Sequence, residues 1–423
     1  MKVKQEDVNY LVFEGGGGKG ITYLGVANAL HELGILEYTN GKLNADKIKG
    51  IAGTSVGSLT ATLLASGYNP SQVEAIITDN LTTKILDSVE FDKVPTIYTT
   101  SFPNHIYSFK EDNNKRQAEN LIPELSDLEE KSLKEILRVP GKVVKNFNYH
   151  FFSHLFKWYI EYESKKDEKE EEEEEKLELL TNFEELARNK MLKPVINKVF
   201  DNAPEASNSL KFDFGMFIGG EFRKMLDNLI KNKTGIPNCT FKQFHQATKI
   251  DLVLTGFDVT KNEVLYFRNN EIFENLCVSD AVRMSISIPM IFKPVLMERR
   301  NTKIGSFSKR VGFPSYIVDG GIGNNFPMRV FNDKDDKLNP NVLGFELAVN
   351  YFTPSKKTML GFMESIFLAM IKKTTEAQLR NDEEREQRIE LDSKDLRVLD
   401  FSYEELPQGI IDNAKKKTLE YFE

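Results

Sequence analysis

Twice within the first seventy residues a short apolar run breaks into glycine and then into a helical pattern. Tyr10–Phe13 runs into Gly15-Gly16-Gly17-Gly18-Lys19-Gly20. From there Ile21, Leu24, Ala27 and Leu30 share one helical face, and Gly34 is placed to end it. Ile48–Ala52 runs into Gly53-Thr54-Ser55-Val56-Gly57 and a helix over Val56–Ala65. Strand, turn and helix in repetition is the grammar of a parallel sheet covered by helices, because parallel neighbours need a crossover between them. The expected fold class is α/β with a central, mostly parallel sheet.

The second turn is G-x-S-x-G. On a sharp strand-to-helix turn a serine hydroxyl stands clear at the sheet edge, and flanking glycines relieve the crowding. The helix N-terminus behind it favours developing negative charge. The bland alternative is a loop whose serine caps a helix; the strand before and the helix after favour a nucleophile. The glycine run upstream offers several backbone N–H groups to one point, which suits an oxyanion or a phosphate. Gly15, Gly17 and Gly20 also satisfy G-x-G-x-x-G, so a dinucleotide-binding oxidoreductase is the competing function from another class. That fold wants an acidic residue ending the second strand. Here the strand ends in Ala52-Gly53-Thr54-Ser55, and Glu37 and Asp46 both precede it. A Walker phosphate loop also fails, since no Gly-Lys-Ser/Thr follows at the required offset. The glycines are read as serving the serine.

A serine nucleophile needs a base. The histidines are His31, His105, His150, His154 and His245, so the last 178 residues hold none. The common serine-hydrolase order of serine, acid and then histidine is therefore not available to an acid late in the chain. His150 and His154 stand at i, i+4 in an aromatic stretch without a third ligand, so no metal is expected. His31 is an ordinary helical position. Asp319-Gly320-Gly321 remains, following Ile317-Val318 and preceding Ile322-Gly323-Asn324-Asn325-Phe326-Pro327. Asp-Gly-Gly alone is most often a turn. An aspartate at a strand end, with no side chain on the next two residues, can approach a serine hydroxyl closely and act as the base of a Ser–Asp dyad.

With these motifs the chain resembles the patatin-like phospholipase family. The matches are Gly15 to Gly20, Gly53 to Gly57, Asp319-Gly320-Gly321, and a fourth run, Ala281-Val282-Arg283-Met284-Ser285-Ile286-Ser287-Ile288-Pro289, continuing through Phe292 and Pro294-Val295. The resemblance spans roughly residues 8–350, with a middle that does not match. It implies a three-layer fold and hydrolysis of acyl esters of membrane lipids without a metal or other cofactor. Ser55 is then the nucleophile and Asp319 the base. Gly16, Gly17 and Gly18 line the oxyanion hole, while Gly15, Lys19, Gly20, Gly53, Gly57, Gly320 and Gly321 support the motifs. Lys19 stands where the family often has Arg. The implied substrate is a phospholipid or lysophospholipid met transiently at a membrane surface. Neutral-lipid or galactolipid hydrolysis is the runner-up, and a catalytically idle lipid-binding protein is a third reading that the intact Ser55, Asp319 and glycine loop oppose. Head-group preference and any need for a protein activator or an oligomer are left open by these motifs.

The serine-to-aspartate separation points to an insertion. Residues 100–245 are expected to form a mainly helical insertion or cap on a catalytic domain of residues 8–350, and residues 355–423 a C-terminal helical segment. The formal charge of the 423-residue chain is −8. Eleven acids and four lysines between residues 161 and 178 account for −7 of it, so the remainder is almost neutral. This gives no support for nucleic acid, which needs a basic surface, and does not oppose docking on an anionic membrane. Phe147–Tyr162 concentrates eight aromatics, Trp158 among them, near Lys142, Lys145 and Lys157. They suit either a lipid headgroup region or packing beneath the insertion, and packing is slightly favoured. Cys239 and Cys277 cannot build a disulfide framework and fit a reducing compartment. With no signal-like N-terminus and no run of about 18 uncharged apolar residues, a cytoplasmic or membrane-peripheral location is expected, with signal-independent export an option. The best apolar candidate, Met359–Ile371, carries Glu364.

Overall fold

The computed structural model describes residues 2–78, 93–100, 107–113, 209, 213–301, 309–310, 314–332, 339–348, 359–379, 382–393, 396 and 406–423. The aromatic stretch 147–162, the acidic run 161–178 and His105, His150 and His154 lie outside them.

Among the described residues ten strands make the body of the central sheet: β1 (Tyr10–Phe13), β2 (Gly50–Gly53), β3 (Lys93–Thr100), β4 (Tyr107–Asn113), β5 (Asp251–Asp258), β6 (Glu263–Phe267), β7 (Val295–Asn301), β8 (Ser315–Asp319), β9 (Val342–Leu347) and β10 (Arg388–Leu391). Their order is β10-β9-β1-β2-β5-β8-β7-β3-β4, with β6 also paired to β5 and the short strand Lys309–Arg310 to β7. From β10 to β5 all neighbours are parallel. β8 runs antiparallel to both β5 and β7.

The parallel strands read as unbroken apolar runs because both faces of the sheet are covered. Alternate side chains enter different cores. Leu11, Phe13, Ile51, Leu252 and Leu254 join the larger cluster, whereas Val12, Ala52 and Val253 meet Phe326, Met328, Phe331 and Leu379 on the other side. The result is three layers.

Seven helices matter here: α1 (Tyr23–Glu32), α2 (Val56–Ser66), α3 (Gly220–Thr234), α4 (Phe241–Thr248), α5 (Val278–Ser285), α6 (Met359–Gln378) and α7 (Gln408–Tyr421). α2 is built from small and apolar residues all round and is buried almost throughout, because it lies over β1, β2 and β5. α7 packs on α1 so closely that a Cβ at Gly25 would overlap the backbone of Ile411. No helix among the described residues is long and apolar enough to cross a membrane.

Three features depart from the sequence pattern. The first helix does not begin at Gly20. Residues Gly17–Thr22 wind as a 3-10 turn, entered with Gly17 at φ 56°, and α-geometry begins at Tyr23. α3 and α4, grouped by position with the insertion, put Phe222, Leu226, Ile230, Phe241 and Phe244 into the main core. The C-terminal segment, besides its helices, supplies β10, whose Arg388 pairs with Glu346 of β9.

Candidate active site

β2 ends at Gly53 and α2 begins at Val56, so the chain reverses within Thr54 and Ser55. Ser55 bears the strain, at φ 52° and ψ −123°, a conformation that residues with a Cβ rarely adopt. Four hydrogen bonds hold it there. Gly57 N–H donates to the Thr54 carbonyl (2.7 Å), and the Ser58 N–H and Oγ–H donate to the Ser55 carbonyl (2.9 and 2.5 Å). The Ser55 N–H donates to Ser285 Oγ (2.9 Å). A Cβ on Gly53 would overlap the Gly57 backbone, and one on Gly57 would overlap the Phe13 carbonyl. The reversal therefore needs glycine at both ends.

Asp319 is the last residue of β8, level with Gly256 of β5, while Gly53, the last residue of β2, is level with Leu254 of the same strand. The two strand ends therefore fall within two residues of each other along β5. Ser55 Oγ–H donates to Asp319 Oδ2 at 2.6 Å, although 264 residues separate them. The other carboxylate oxygen accepts the Gly321 N–H (2.8 Å), and the Asp319 N–H donates to the Ser287 carbonyl (2.9 Å). Asp319 is fully buried. Burial pushes its carboxyl up to about 7, with the Ser55 and Gly321 hydrogen bonds pulling partly back. Gly320 lies so close to Thr255 that a side chain there would collide, and one at Gly321 would press on Asn325 Oδ1.

The glycine loop flanks the same serine. The Gly15 N–H donates to the Asn325 carbonyl (3.1 Å), and the Cβ direction of Gly15 points at Ser55 Cβ. Gly16, Gly17 and Gly18 are buried. The N–H groups of Gly16 and Gly17 donate to no other group among the described residues, as expected of the first residues of a helical turn. Lys19 Nζ donates to the Ala348 carbonyl (3.3 Å), and Gly20 leaves room for Val56, the residue after Ser55. The structure thus brings together Gly15 to Gly20, Gly53 to Gly57 and Asp319 to Gly321.

Several residues at the site carried no functional reading in the sequence. Ser285 and Ser287 lie in the fourth matched run, which is the signal that pointed to them. Arg283 of that run is fully buried and donates to the carbonyls of Ile218 (2.8 and 2.5 Å) and Lys293 (3.0 Å) and to Ser287 Oγ (2.5 Å). It fixes the segment that Ser55 and Asp319 both lean on. Glu14 and Asn325 form a second buried polar group. Asn325 Nδ2 donates to Glu14 Oε1 and to the Gly15 carbonyl, each at 3.0 Å. Their only visible signal is an acid lodged between an apolar strand and four glycines. The two described histidines are spent locally, His31 on the Leu36 carbonyl and His245 on that of Ile250. Among the described residues no three His, Cys, Asp or Glu side chains gather so as to hold a metal ion.

A family model described as patatin-like phospholipase matches residues 11–332, which run from β1 past Asp319 and its glycines. The chain belongs to the patatin-like phospholipase family. Patatin-like phospholipases are lipid hydrolases. One relative, the uncharacterized protein R571 of Acanthamoeba polyphaga mimivirus, is 33% identical over 129 residues, 29% of this chain and 35% of its own length. Another, the probable lipid hydrolase 463L of Invertebrate iridescent virus 6, is 23% identical over 143 residues, 34% of this chain and 44% of its own. The patatin-like chain thus spans well under two thirds of these curated relatives. Among solved structures it is similar to VipD from Legionella pneumophila, at TM-score 0.44 and 19% identity over 98% of this chain and 67% of that one. A second similarity is to the heterodimeric ExoU–SpcU complex of Pseudomonas aeruginosa, at TM-score 0.36 and 15% identity over 99% of this chain and 52% of that one.

Proposed function

We propose that this patatin-like protein cleaves carboxylic esters of phospholipids or lysophospholipids with a Ser55–Asp319 dyad, through an acyl-serine intermediate. The observation that carries the proposal is the 2.6 Å hydrogen bond from Ser55 Oγ to Asp319 Oδ2, made by a strained serine beside the buried N–H groups of Gly16 and Gly17, which donate to no other group among the described residues. Asp319 takes the Ser55 proton as Oγ attacks the ester carbonyl. The backbone N–H groups of Gly16, Gly17 and Gly18 hold the tetrahedral oxyanion, each well-placed donor contributing about 3 kcal/mol to the barrier reduction. Collapse expels the lysolipid or glycerol oxygen, which receives the proton from Asp319. Water then attacks the acyl-serine, gives its proton to Asp319, and releases the fatty acid as the proton returns to Ser55.

No step calls for a cofactor, and the reaction requires transient docking on a lipid surface. The glycine loop is poorly suited to a dinucleotide, because Gly15 and Gly20 are packed against Asn325 and Val56. The experiment is hydrolysis by the purified protein over a panel of phospholipids, lysophospholipids, galactolipids and neutral lipids, with labelling by a serine-reactive fluorophosphonate. Phospholipid turnover and labelling in the wild type, both absent in Ser55→Ala, are expected. Turnover retained in Ser55→Ala overturns the dyad, and turnover confined to neutral or galactolipids replaces the substrate class.

A further inference from the structure

α6 lies beyond the residues that the family model matches, yet two neighbouring threonines on it reach both halves of the site. Thr374 Oγ1–H lies 3.0 Å from the Gly321 carbonyl, alongside a local bond to the Ile371 carbonyl at 2.9 Å. Ile371 itself packs against the face of Gly321 that lacks a side chain. Gly321 is the residue whose N–H fixes Asp319 Oδ1 and so leaves Oδ2 facing Ser55. Thr375 Oγ1 lies 2.5 Å from Glu14 Oε1. Glu14 Oε1 also accepts from Asn325, and its Oε2 accepts the Leu347 N–H at 2.6 Å. Asn325 grips Gly15 from both sides, through its own carbonyl and through Nδ2.

We infer that Thr374 and Thr375 are positioning residues for the hydrolysis proposed above, Thr374 through the Gly321 peptide that aims Asp319, and Thr375 through the Glu14–Asn325 clamp on the glycine loop. The inference rests on that reading of the site. A purely structural role, in which both hydroxyls merely satisfy their own helix, does not fit Thr375, whose recorded bonds go to Glu14 and Asn325. Glu14 is fully buried among donors, and an isosteric glutamine would turn its amide N–H groups toward other N–H groups. Burial raises Glu14 to about 7, and the Thr375 hydroxyl is the strongest of the groups that hold it down. Without that hydroxyl Glu14 protonates at higher pH and the clamp on Leu347 and Asn325 loses an acceptor.

The test uses the full-length protein and a soluble p-nitrophenyl ester, so that membrane docking does not enter. Thr375→Val should lower kcat about 10- to 100-fold, the scale of a small misplacement of reacting groups, with KM within about twofold. The acidic limb of its kcat profile should move to higher pH. Thr375→Ser should restore both, Thr374→Val should lower kcat without moving that limb, and Thr418→Val, on α7 away from the site, should match the wild type. Should Thr375→Val fail to fold, Thr375→Ala carries both readouts, and Thr374→Val carries the kcat readout alone. Wild-type kcat and pH profile in folded Thr374→Val and Thr375→Val overturn the inference. Failure of a fluorophosphonate to label wild-type Ser55 overturns the underlying dyad instead, and the two failures are separate measurements.

Discussion

Replacing Asp319 by Asn should abolish hydrolysis and at the same time stabilise the protein, by an amount that depends on pH. The carboxyl stands at about 7 in the folded protein against an ordinary value of 3.8, with burial as the dominant cause. A carboxylate raised in this way prefers its proton in the folded state. The cost of ionising it is absent below pH ~4, grows as pH rises between about 4 and 7, and is complete above about 7. At about 1.4 kcal/mol per unit the full cost is on the order of 4 kcal/mol. Asn carries no such cost. Its oxygen can still accept the Gly321 N–H, and its amide can donate to Ser55 Oγ. Glu14, raised to about 7 by the same kind of burial, is present in both proteins and cancels in the comparison. The assay is urea unfolding of wild type and Asp319→Asn at half-unit steps from pH 4.5 to 8.5. Asp319→Asn should gain on the wild type as pH rises and level off above about 7, while lipid-ester hydrolysis stays at background throughout. A stability difference that does not change with pH would refute the assignment of a buried, proton-holding base at this position. The same titration should appear in the wild-type enzyme as a fall in kcat/KM below pH about 7, since only the ionised carboxylate accepts the serine proton.

Ser55→Gly should unfold at higher urea than Ser55→Ala, by about 1–3 kcal/mol, because only glycine is at ease at φ 52°; equal midpoints would argue against strain at the turn. Ser285→Ala should cost about 1–3 kcal/mol by leaving the buried Ser55 N–H unpaired, and should slow fluorophosphonate labelling, read by gel fluorescence over time. Gly57→Ala should fail to accumulate as folded protein, its methyl group driven into the Phe13 carbonyl, as judged by circular dichroism and soluble yield. Arg283→Lys should lower the melting temperature and slow labelling together, since one ammonium cannot span the Ile218 and Lys293 carbonyls and Ser287 as the guanidinium does.

The parts of this molecule legible in its sequence are those where a local backbone demand leaves a local mark. Gly53 and Gly57 are visible because the reversal at Ser55 admits no side chain on either flank, and β1, β2 and α2 because buried parallel strands are apolar and a helix buried all round is built of small and apolar residues. Asp319, which the structure places against Ser55, is marked in the sequence by its two glycines and by the lack of a late histidine. β3, β4 and β10 are not, because Lys93–Thr100 and Tyr107–Asn113 are largely polar edge or near-edge strands and the alternation of Arg388–Leu391 runs for only four residues. Glu14, Asn325 and Thr375 escaped for a different reason. Their meaning lies in hydrogen bonds across 311 and 361 residues, and a single polar residue bears no trace of such a partner.

In the proposed dyad a serine would be served without histidine. A general base works best when its proton affinity lies near the working pH. Histidine has that affinity unperturbed, at about 6.5, whereas a solvated aspartate is too weak a base by some three units. Full burial supplies the difference here, bringing Asp319 to about 7. In a triad the third residue holds the histidine ring in its productive orientation. In the proposed dyad the backbone would take over that role: the Gly321 N–H bonds one carboxylate oxygen, the Ser287 carbonyl accepts the aspartate's own N–H, and the other oxygen faces Ser55. Both devices need the two residues after Asp319 to be small and the strand ends to be closed to water. If so, a polar residue that admits water beside Asp319, such as Ile371→Ser, should lower the base's proton affinity and move the acidic limb of kcat/KM below 7 while slowing turnover. An unmoved limb would mean that burial does not set the strength of this base.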